Sequence, residues 1–214
     1  STAFLLGLAL GAYGLTQAIF QIPFGMLSDK IGRKPVIIGG LLLFAAGSVW
    51  AAEADSIYGV IGGRILQGAG AIASTVMALV ADVTRDEQRT KAMAMVGMSI
   101  GASFAVALII GPIVAGWGGL TAVFYFTAAL ALGGIFIVWK LVPTPTTAHK
   151  HRRDTGTVPS LIKRSFFDAS LARLNISVFS LHFMLMAGFV VLPLILEQRL
   201  GLDRSQHWLA YLPA

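Results

Sequence analysis

Six long apolar stretches, separated by short polar segments, limit what this chain can fold into. They cover residues 3–27, 36–52, 57–82, 92–115, 121–142 and 172–196. A helix of about 20 apolar residues is long enough to cross the hydrocarbon core of a bilayer. The stretches therefore predict an all-α, polytopic membrane protein with about six spanning helices. A further helix is predicted to begin near Ser205.

Composition excludes several other classes of protein. Hydrophobic residues make up 56% of the chain and charged residues only 12%, whereas about 25% of a soluble domain is charged. The net charge of +6 does not indicate a nucleic-acid partner, because the cations lie in loops and not on a soluble basic face. We therefore predict no nucleic-acid partner. The absence of Cys excludes disulfides and thiolate metal sites. We find no metal-ligand spacing, phosphate loop or Ser/His/Asp arrangement, so we predict no cofactor, no metal and no enzymatic activity.

The positions of Lys and Arg predict the orientation of the spans. Of the 16 cations, 13 lie in the 28–35 hairpin, in the 83–91 loop or on the side of the polar linker at residues 143–170. The turns at 53–56 and 116–120 contain none. Because cytoplasmic loops carry an excess of Lys and Arg, we expect the hairpin, the loop and the linker to be cytoplasmic.

This orientation also predicts the domain organisation. It places Ser1 on the outer side, so we expect one span upstream of it, since a chain without a signal peptide ordinarily begins inside. Residues 1–142 would then supply the second to sixth spans of an N-terminal bundle. Residues 143–170 would be a cytoplasmic linker. Residues 171–214 would begin a C-terminal bundle, with the seventh span and the start of the eighth, in a protein predicted to be monomeric when complete.

The hairpin between the first two stretches, residues 25–35, combines one carboxylate, three cations and two glycines. Glycine permits tight backbone geometry. Asp29 could meet the positive N-terminal end of another helix, and Arg33 could hold a second carboxylate, that of Asp82, through its planar fork. The alternative is a solvated turn that only sets orientation. The candidate residues are Gly25, Asp29, Lys30, Gly32, Arg33, Lys34 and Asp82.

Residues 25–35 resemble motif A of the major facilitator superfamily, Gly-x-x-x-Asp-(Arg/Lys)-x-Gly-Arg-(Arg/Lys), at each specified position. The resemblance implies two six-helix bundles in the complete protein. It also implies a cytoplasmic latch between the second and third helices that stabilises an outward-open state. In that latch Asp29 would face a helix end of the other bundle and Arg33 would pair with Asp82.

Arg64 is a charge inside the third stretch, about 10 Å from its outer end at 1.5 Å per residue. Such a charge is costly unless it faces partners or water, and the alternative is a side chain that snorkels to the interface. Residues 64–71, with Gln67 and Gly68, resemble motif B of proton-coupled members, Arg-x-x-Gln-Gly-x-Gly-Ala. The resemblance implies that Arg64 faces the central cavity and takes part in proton coupling. Since Arg does not titrate, it would bias a neighbouring acid or hold a polar network.

Residues 111–116 resemble motif C, Gly-Pro-x-x-Gly-Gly, which occurs mainly in the drug/proton antiporter groups of the same superfamily. The match departs at Ala115, which replaces the first glycine of the closing pair. Pro112 predicts a kink. Glycines at this spacing predict a small-residue face for close helix packing. These glycines are Gly97, Gly101, Gly111 and Gly116.

Two further sets of polar residues lie within spans. His182, near the middle of the 172–196 stretch, could change charge near physiological pH and take part in proton coupling. The alternative is a neutral His bonded to a backbone carbonyl or to Asn175. Tyr13, Gln17 and Gln21 recur every four residues, so they share one helical face that either lines the cavity or bonds to neighbouring helices.

Together these resemblances imply a proton-coupled efflux antiporter of small organic or drug-like substrates that works by alternating access in the inner membrane. Its partners would be that substrate, protons and the lipid bilayer. One alternative is a metabolite or sugar symporter or exporter of the same fold. Another is a membrane sensor that transports nothing.

Overall fold

The computed structural model describes residues 2–70, 72–143 and 168–201, and these residues are almost entirely helical, which confirms the all-α prediction. The α-helices are α1 (Thr2–Ile31), α2 (Arg33–Ala52), α3 (Ile57–Ala69), α4 (Ala73–Val83), α5 (Arg89–Lys140) and α6 (Ala169–Leu200), with a short 3₁₀ turn at Asp86–Gln88. Most of the predicted linker and the helix predicted near Ser205 lie outside the described residues. The chain divides into two compact units, Ser1–His151 and Arg152–Ala214, which are described separately.

Five stretches of the described residues are long and apolar enough to cross a membrane, namely Phe4–Ile31, Arg33–Ala52, Ile57–Val83, Asp86–Lys140 and Ala169–Gly188. The 55-residue stretch contains two non-helical residues, Gly118 and Gly119. The first and the last residues of this stretch lie at the same end of the bundle, close to Lys34 and Asp82. The chain therefore reverses its direction within the stretch. The stretch therefore provides two passes, residues 89–117 and 120–140. The six passes correspond to the six predicted spans.

The connection between α1 and α2 is shorter than predicted. The hairpin expected at residues 28–35 is reduced to Gly32, because α1 continues to Ile31 and α2 already begins at Arg33. Gly32 has φ of +103°, in the region that favours glycine. The helices extend through the charged residues because these residues pair with one another and with α4, so their side chains do not depend on a solvated loop.

The third predicted span, residues 57–82, is not one continuous helix. α3 ends at Ala69 and α4 begins at Ala73. Glycine is a poor helix former, and Gly70 lies so close to the Gly40 carbonyl of α2 that a Cβ could not fit there. The helix is therefore interrupted at the point where the chain packs closely against α2. At the start of α3, Ser56 caps the helix by accepting a hydrogen bond from the Gly59 amide at 3.2 Å.

Helix α2 lies at the centre of the first unit and packs against α3 and against α5. The backbones of α2 and α3 meet at two glycines, since a Cβ on Gly63 would lie 2.7 Å from the Gly47 carbonyl oxygen. On the other side, Phe124 of the second pass of α5 packs against Ala51 and Ala52 of α2. Small residues thus set the helix spacing, as in other membrane bundles.

The first pass of α5 contains Pro112 within the helix, and helical φ and ψ are interrupted at Gly118 and Gly119 and not at Pro112. Within the part of the chain that the structure describes, the small-residue face predicted on this pass has no close neighbour, since no atom of another element lies within 4 Å of where a Cβ would be added at these glycines. The glycines concerned are Gly97, Gly101, Gly111 and Gly116.

Candidate functional site

Arg33 joins three helices at one end of the first unit. Its Nε lies 2.9 Å from Asp82 Oδ2 at the end of α4, and its Nη1 lies 2.6 Å from Asp29 Oδ1 on α1. The Arg33 side chain is 9% exposed, against 36% for Asp29 and 25% for Asp82. The predicted pairing of Arg33 with Asp82 is therefore present. We call Ser28, Asp29, Arg33 and Asp82 the clasp.

Ser28 completes the clasp. Its hydroxyl is fully buried, accepts a hydrogen bond of 2.6 Å from Arg33 Nη1 and donates one of 2.6 Å to the Gly25 carbonyl. Gly25 is also a point of close approach, because a Cβ there would lie 3.4 Å from Ser74 Oγ of α4. The guanidinium of Arg33 is thus held by two carboxylates and one hydroxyl, and the buried charge is compensated.

Lys34 makes a second contact at the same end. Its ammonium donates to the carbonyl of Val142 at 2.8 Å and to that of Trp139 at 3.3 Å. These carbonyls belong to the last turn of α5 and the residues just after it, where backbone acceptors lack helical partners and a cation interacts favourably with the helix dipole. Lys34 therefore links the start of α2 to the end of α5. Lys30, the other predicted cation of the hairpin, is exposed.

Arg64 lies on α3 and is half-buried. Its guanidinium carbon is 4.3 Å from the centroid of the Tyr13 ring on α1, within the range of a cation–π interaction. Its Nη1 donates to Gln67 Oε1 at 2.8 Å. The structure therefore brings together Arg64, Tyr13 and Gln67, three of the predicted residues, and these two contacts hold the guanidinium against α1.

Behind Gln67 the hydrogen bonds continue into α2. Gln67 is 2% exposed, and its Nε2 donates to Ser48 Oγ at 2.6 Å. Thr127 Oγ1, on the second pass of α5, lies 3.4 Å from Ser48 Oγ. We call Arg64, Gln67, Ser48 and Thr127 the polar chain.

The remaining polar residues of α1 face α3 and α4. The Gln21 carbonyl accepts a hydrogen bond of 2.8 Å from Ser74 Oγ, and Gln21 Oε1 is buried with no hydrogen-bond partner among the described residues. Gln17 is half-buried, and its backbone amide is close to Gly68 of α3. A Cβ on Gly68 would also meet Thr16, so this glycine of motif B allows α1 and α3 to pack closely. Ala71, which ends the same motif, is not among the described residues.

The second unit supplies the remaining predicted residues. His182 lies on α6, and its Nδ1 is 3.2 Å from the Val178 carbonyl, one helical turn earlier. This is the contact with a backbone carbonyl that the alternative of a neutral His predicts. Asn175 is exposed on the same helix, seven residues before His182.

Three hydroxyl residues of the site were missed by sequence reasoning. Ser28 lies inside the motif A stretch, at a position where the motif accepts any residue, so only its burial identifies it. Ser48 and Thr127 are separated by 79 positions and lie in apolar stretches without a motif. Their only signal in the sequence was a hydroxyl-bearing residue within an apolar stretch.

Residues 1–214 match the Major Facilitator Superfamily, and the chain belongs to this family of membrane transporters. The chain is 50% identical over 208 residues to the "Inner membrane transport protein YajR" of Escherichia coli (strain K12), covering 97% of this chain and 45% of that protein. It is 34% identical over 128 residues to the "Tetracycline resistance protein, class E" of Escherichia coli, covering 58% and 31%. It is 31% identical over 146 residues to the "Chloramphenicol resistance protein" of Pseudomonas aeruginosa, covering 67% and 35%.

The chain spans about half the length of the curated relatives that it matches most fully, at 45% and 53% of their lengths. The sequences of residues 13–25, 89–94 and 181–182 predict a finer resemblance, to YajR-type transporters. The 50% identity to YajR confirms that prediction. The relatives named for tetracycline and chloramphenicol resistance agree with the drug/proton antiporter group that motif C indicates.

Proposed function

We propose that this chain contributes the N-terminal bundle, the linker and the start of the C-terminal bundle of a proton-coupled exporter of small organic compounds. The protein would lie in the inner membrane, with the linker at residues 143–170 on the cytoplasmic side. Transport would proceed by alternating access, with one bundle rocking against the other around a site near the midplane. Membership of the superfamily and the likeness to proteins named for tetracycline and chloramphenicol resistance support this proposal.

The observation that carries the proposal is the setting of Arg64. A half-buried guanidinium within a membrane span is costly in free energy unless it faces partners or water. Here Gln67 and the Tyr13 ring hold it in place. Arg stays charged at any physiological pH. Its role in coupling would therefore be to lower the free energy of a nearby deprotonated acid and so make that acid respond to substrate and proton.

The clasp would set the balance between conformations. Arg33 ties α2 to α1 and α4 within one bundle, so these helices would move together. Asp29, which is the most exposed carboxylate of the clasp, would make the contact with the other bundle that breaks in each cycle. His182 would add to proton coupling if a transport-competent conformation frees its ring from the Val178 carbonyl.

The test is proton-coupled flux in everted membrane vesicles that contain the full-length protein, with tetracycline and chloramphenicol as probes. An antiporter releases protons from the acidified lumen when a probe is added, and a pH-sensitive dye reports that release. We expect Arg64→Ala to abolish the release and Arg85→Ala, at an exposed position in the turn after α4, to leave it unchanged. An unaltered pH dependence in Arg64→Ala would remove Arg64 from the coupling role.

The same assay separates the alternatives. A symporter of the same fold would move protons in the same direction as its substrate. A membrane sensor would show no substrate-dependent flux, and it would tolerate substitution of Arg64.

A further inference from the structure

Ser48 lies at the far end of a hydrogen-bonded path that begins at Arg64. Arg64 Nη1 donates to Gln67 Oε1 at 2.8 Å, and Gln67 Nε2 donates to Ser48 Oγ at 2.6 Å. Ser48 is fully buried and Gln67 is 2% exposed. The bond between Gln67 and Ser48 therefore cannot be exchanged for one to bulk water without movement of the helices.

The chemistry of the groups fixes the direction of this path. A guanidinium has only donors, so the side-chain oxygen of Gln67 must face Arg64. The amide nitrogen must then face Ser48, whose oxygen accepts the bond. Ser48 uses its own proton for the Phe44 carbonyl, 2.8 Å away. If Ser48 offered no acceptor, the buried amide nitrogen of Gln67 would lose its partner, at a cost of about 1–3 kcal/mol.

The helix packing keeps Ser48 in reach of Gln67. Gly47, the residue before Ser48, lies so close to α3 that a Cβ there would be 2.7 Å from the Gly63 carbonyl oxygen. On the opposite side Thr127 donates to the Phe124 carbonyl at 2.8 Å, and its hydroxyl lies 3.4 Å from that of Ser48. Ser48 is thus fixed from both sides, by α3 and by the second pass of α5.

We propose that Ser48 is a positioning residue for Arg64. It selects the orientation of the Gln67 amide, and that amide holds the guanidinium against Tyr13. The inference rests on the proposed function, in which Arg64 serves proton coupling. Among the described residues, Ser99 offers a matched control, because it makes the same local bond, to the Met95 carbonyl at 2.8 Å, but from an exposed position.

The first test measures the unfolding temperature of the purified full-length protein with Ser48→Ala, Gln67→Leu and both changes. Each single change should lower the temperature. The double change should lower it by less than the sum of the two, because both remove the same bond. Ser99→Ala should leave the temperature unchanged. Additive shifts for Ser48 and Gln67 would overturn the proposal.

The second test uses a readout that loss of packing alone would not move, the pH at which tetracycline-dependent proton release is half-maximal. Ser48→Ala should shift this pH in the same direction as Arg64→Lys, and Ser99→Ala should not shift it. A shift in Arg64→Lys without one in Ser48→Ala would overturn the positioning role alone. An unchanged pH in Arg64→Lys itself would overturn the proposed function, and with it the role of Ser48.

Discussion

The clasp and the polar chain both surround an arginine, but they compensate its charge in different ways. Arg33, at a helix end, meets two carboxylates and a hydroxyl. Arg64, inside a span, meets an amide and an aromatic ring, and none of the described carboxylates forms an ion pair with it. The charge of Arg33 is thus compensated by carboxylates within the clasp, whereas Arg64 is held by neutral groups.

This difference suggests that the clasp and the polar chain serve different functions. A cluster of ion pairs at a helix end can hold helices together, because its buried cation is already paired. A cation that is held only by neutral groups within a membrane interacts more strongly with an arriving anion, or with a nearby acid that has lost its proton, than a cation that is already paired. We therefore propose that the clasp sets the conformational balance and that the polar chain serves proton coupling.

Removal of Arg33 should destabilise the protein most. In Arg33→Ala the partly exposed carboxylates of Asp29 and Asp82 lose the buried guanidinium between them, and a hydrogen bond to a charged group contributes about 1.5–3 kcal/mol. Thermal unfolding of the full-length protein in detergent measures the loss. Arg89→Ala is the control, because its pair with Asp86 is about half exposed and contributes less than about 1 kcal/mol. Equal effects of the two changes would show that Arg33 is no more than a surface cation.

Substitution of Gly47 should disturb the polar chain through the backbone. The Cβ in Gly47→Ala would lie 2.7 Å from the Gly63 carbonyl oxygen, so α2 and α3 must separate, at a cost of about 1–3 kcal/mol. Gly101→Ala is the control, since nothing lies within 4 Å of the added Cβ. The yield of folded protein and its unfolding temperature report the difference. A tolerated Gly47→Ala would contradict the close packing that brings Ser48 to Gln67.

The two regions also differ in how far the sequence could predict them. The clasp was predictable, because Asp29 and Arg33 belong to one contiguous motif and Asp82 ends an apolar stretch. Its extent was not, because ion pairing lets α1 and α2 run through residues 28–31 and 33–35 that a polar composition assigns to a loop. In the polar chain, Arg64 and Gln67 were visible as polar residues within a span.

Other features depended on contacts between distant parts of the chain. Ser48 and Thr127 are hydroxyl residues of apolar stretches, and only the packing of α2 against α3 and α5 makes them partners. The same holds for the break after Ala69, which follows from the approach of Gly70 to α2. The interruption within α5 was placed correctly at the Gly118–Gly119 turn, and helical φ and ψ continue through Pro112.

Substitution of Lys34 should have a smaller effect than either change above. Lys34→Met removes the cation from the terminal carbonyls of α5, and such an interaction contributes about 0.3–1 kcal/mol. The unfolding temperature should fall slightly, and Lys30→Met, at an exposed position, should leave it unchanged. An equal response of both variants would indicate that Lys34 acts only as a surface charge.

The central claim is that Asp29 of the clasp serves transport more than folding, and Asp29→Asn in the full-length protein tests it most directly. Arg33 keeps Asp82 and Ser28 in this variant, so loss of an exposed pair four residues apart should cost only about 0.5 kcal/mol. We expect tetracycline-dependent proton release to fall to background while folded yield and unfolding temperature stay near those of the unsubstituted protein. Asp86→Asn should affect neither. Full transport by Asp29→Asn would contradict the account.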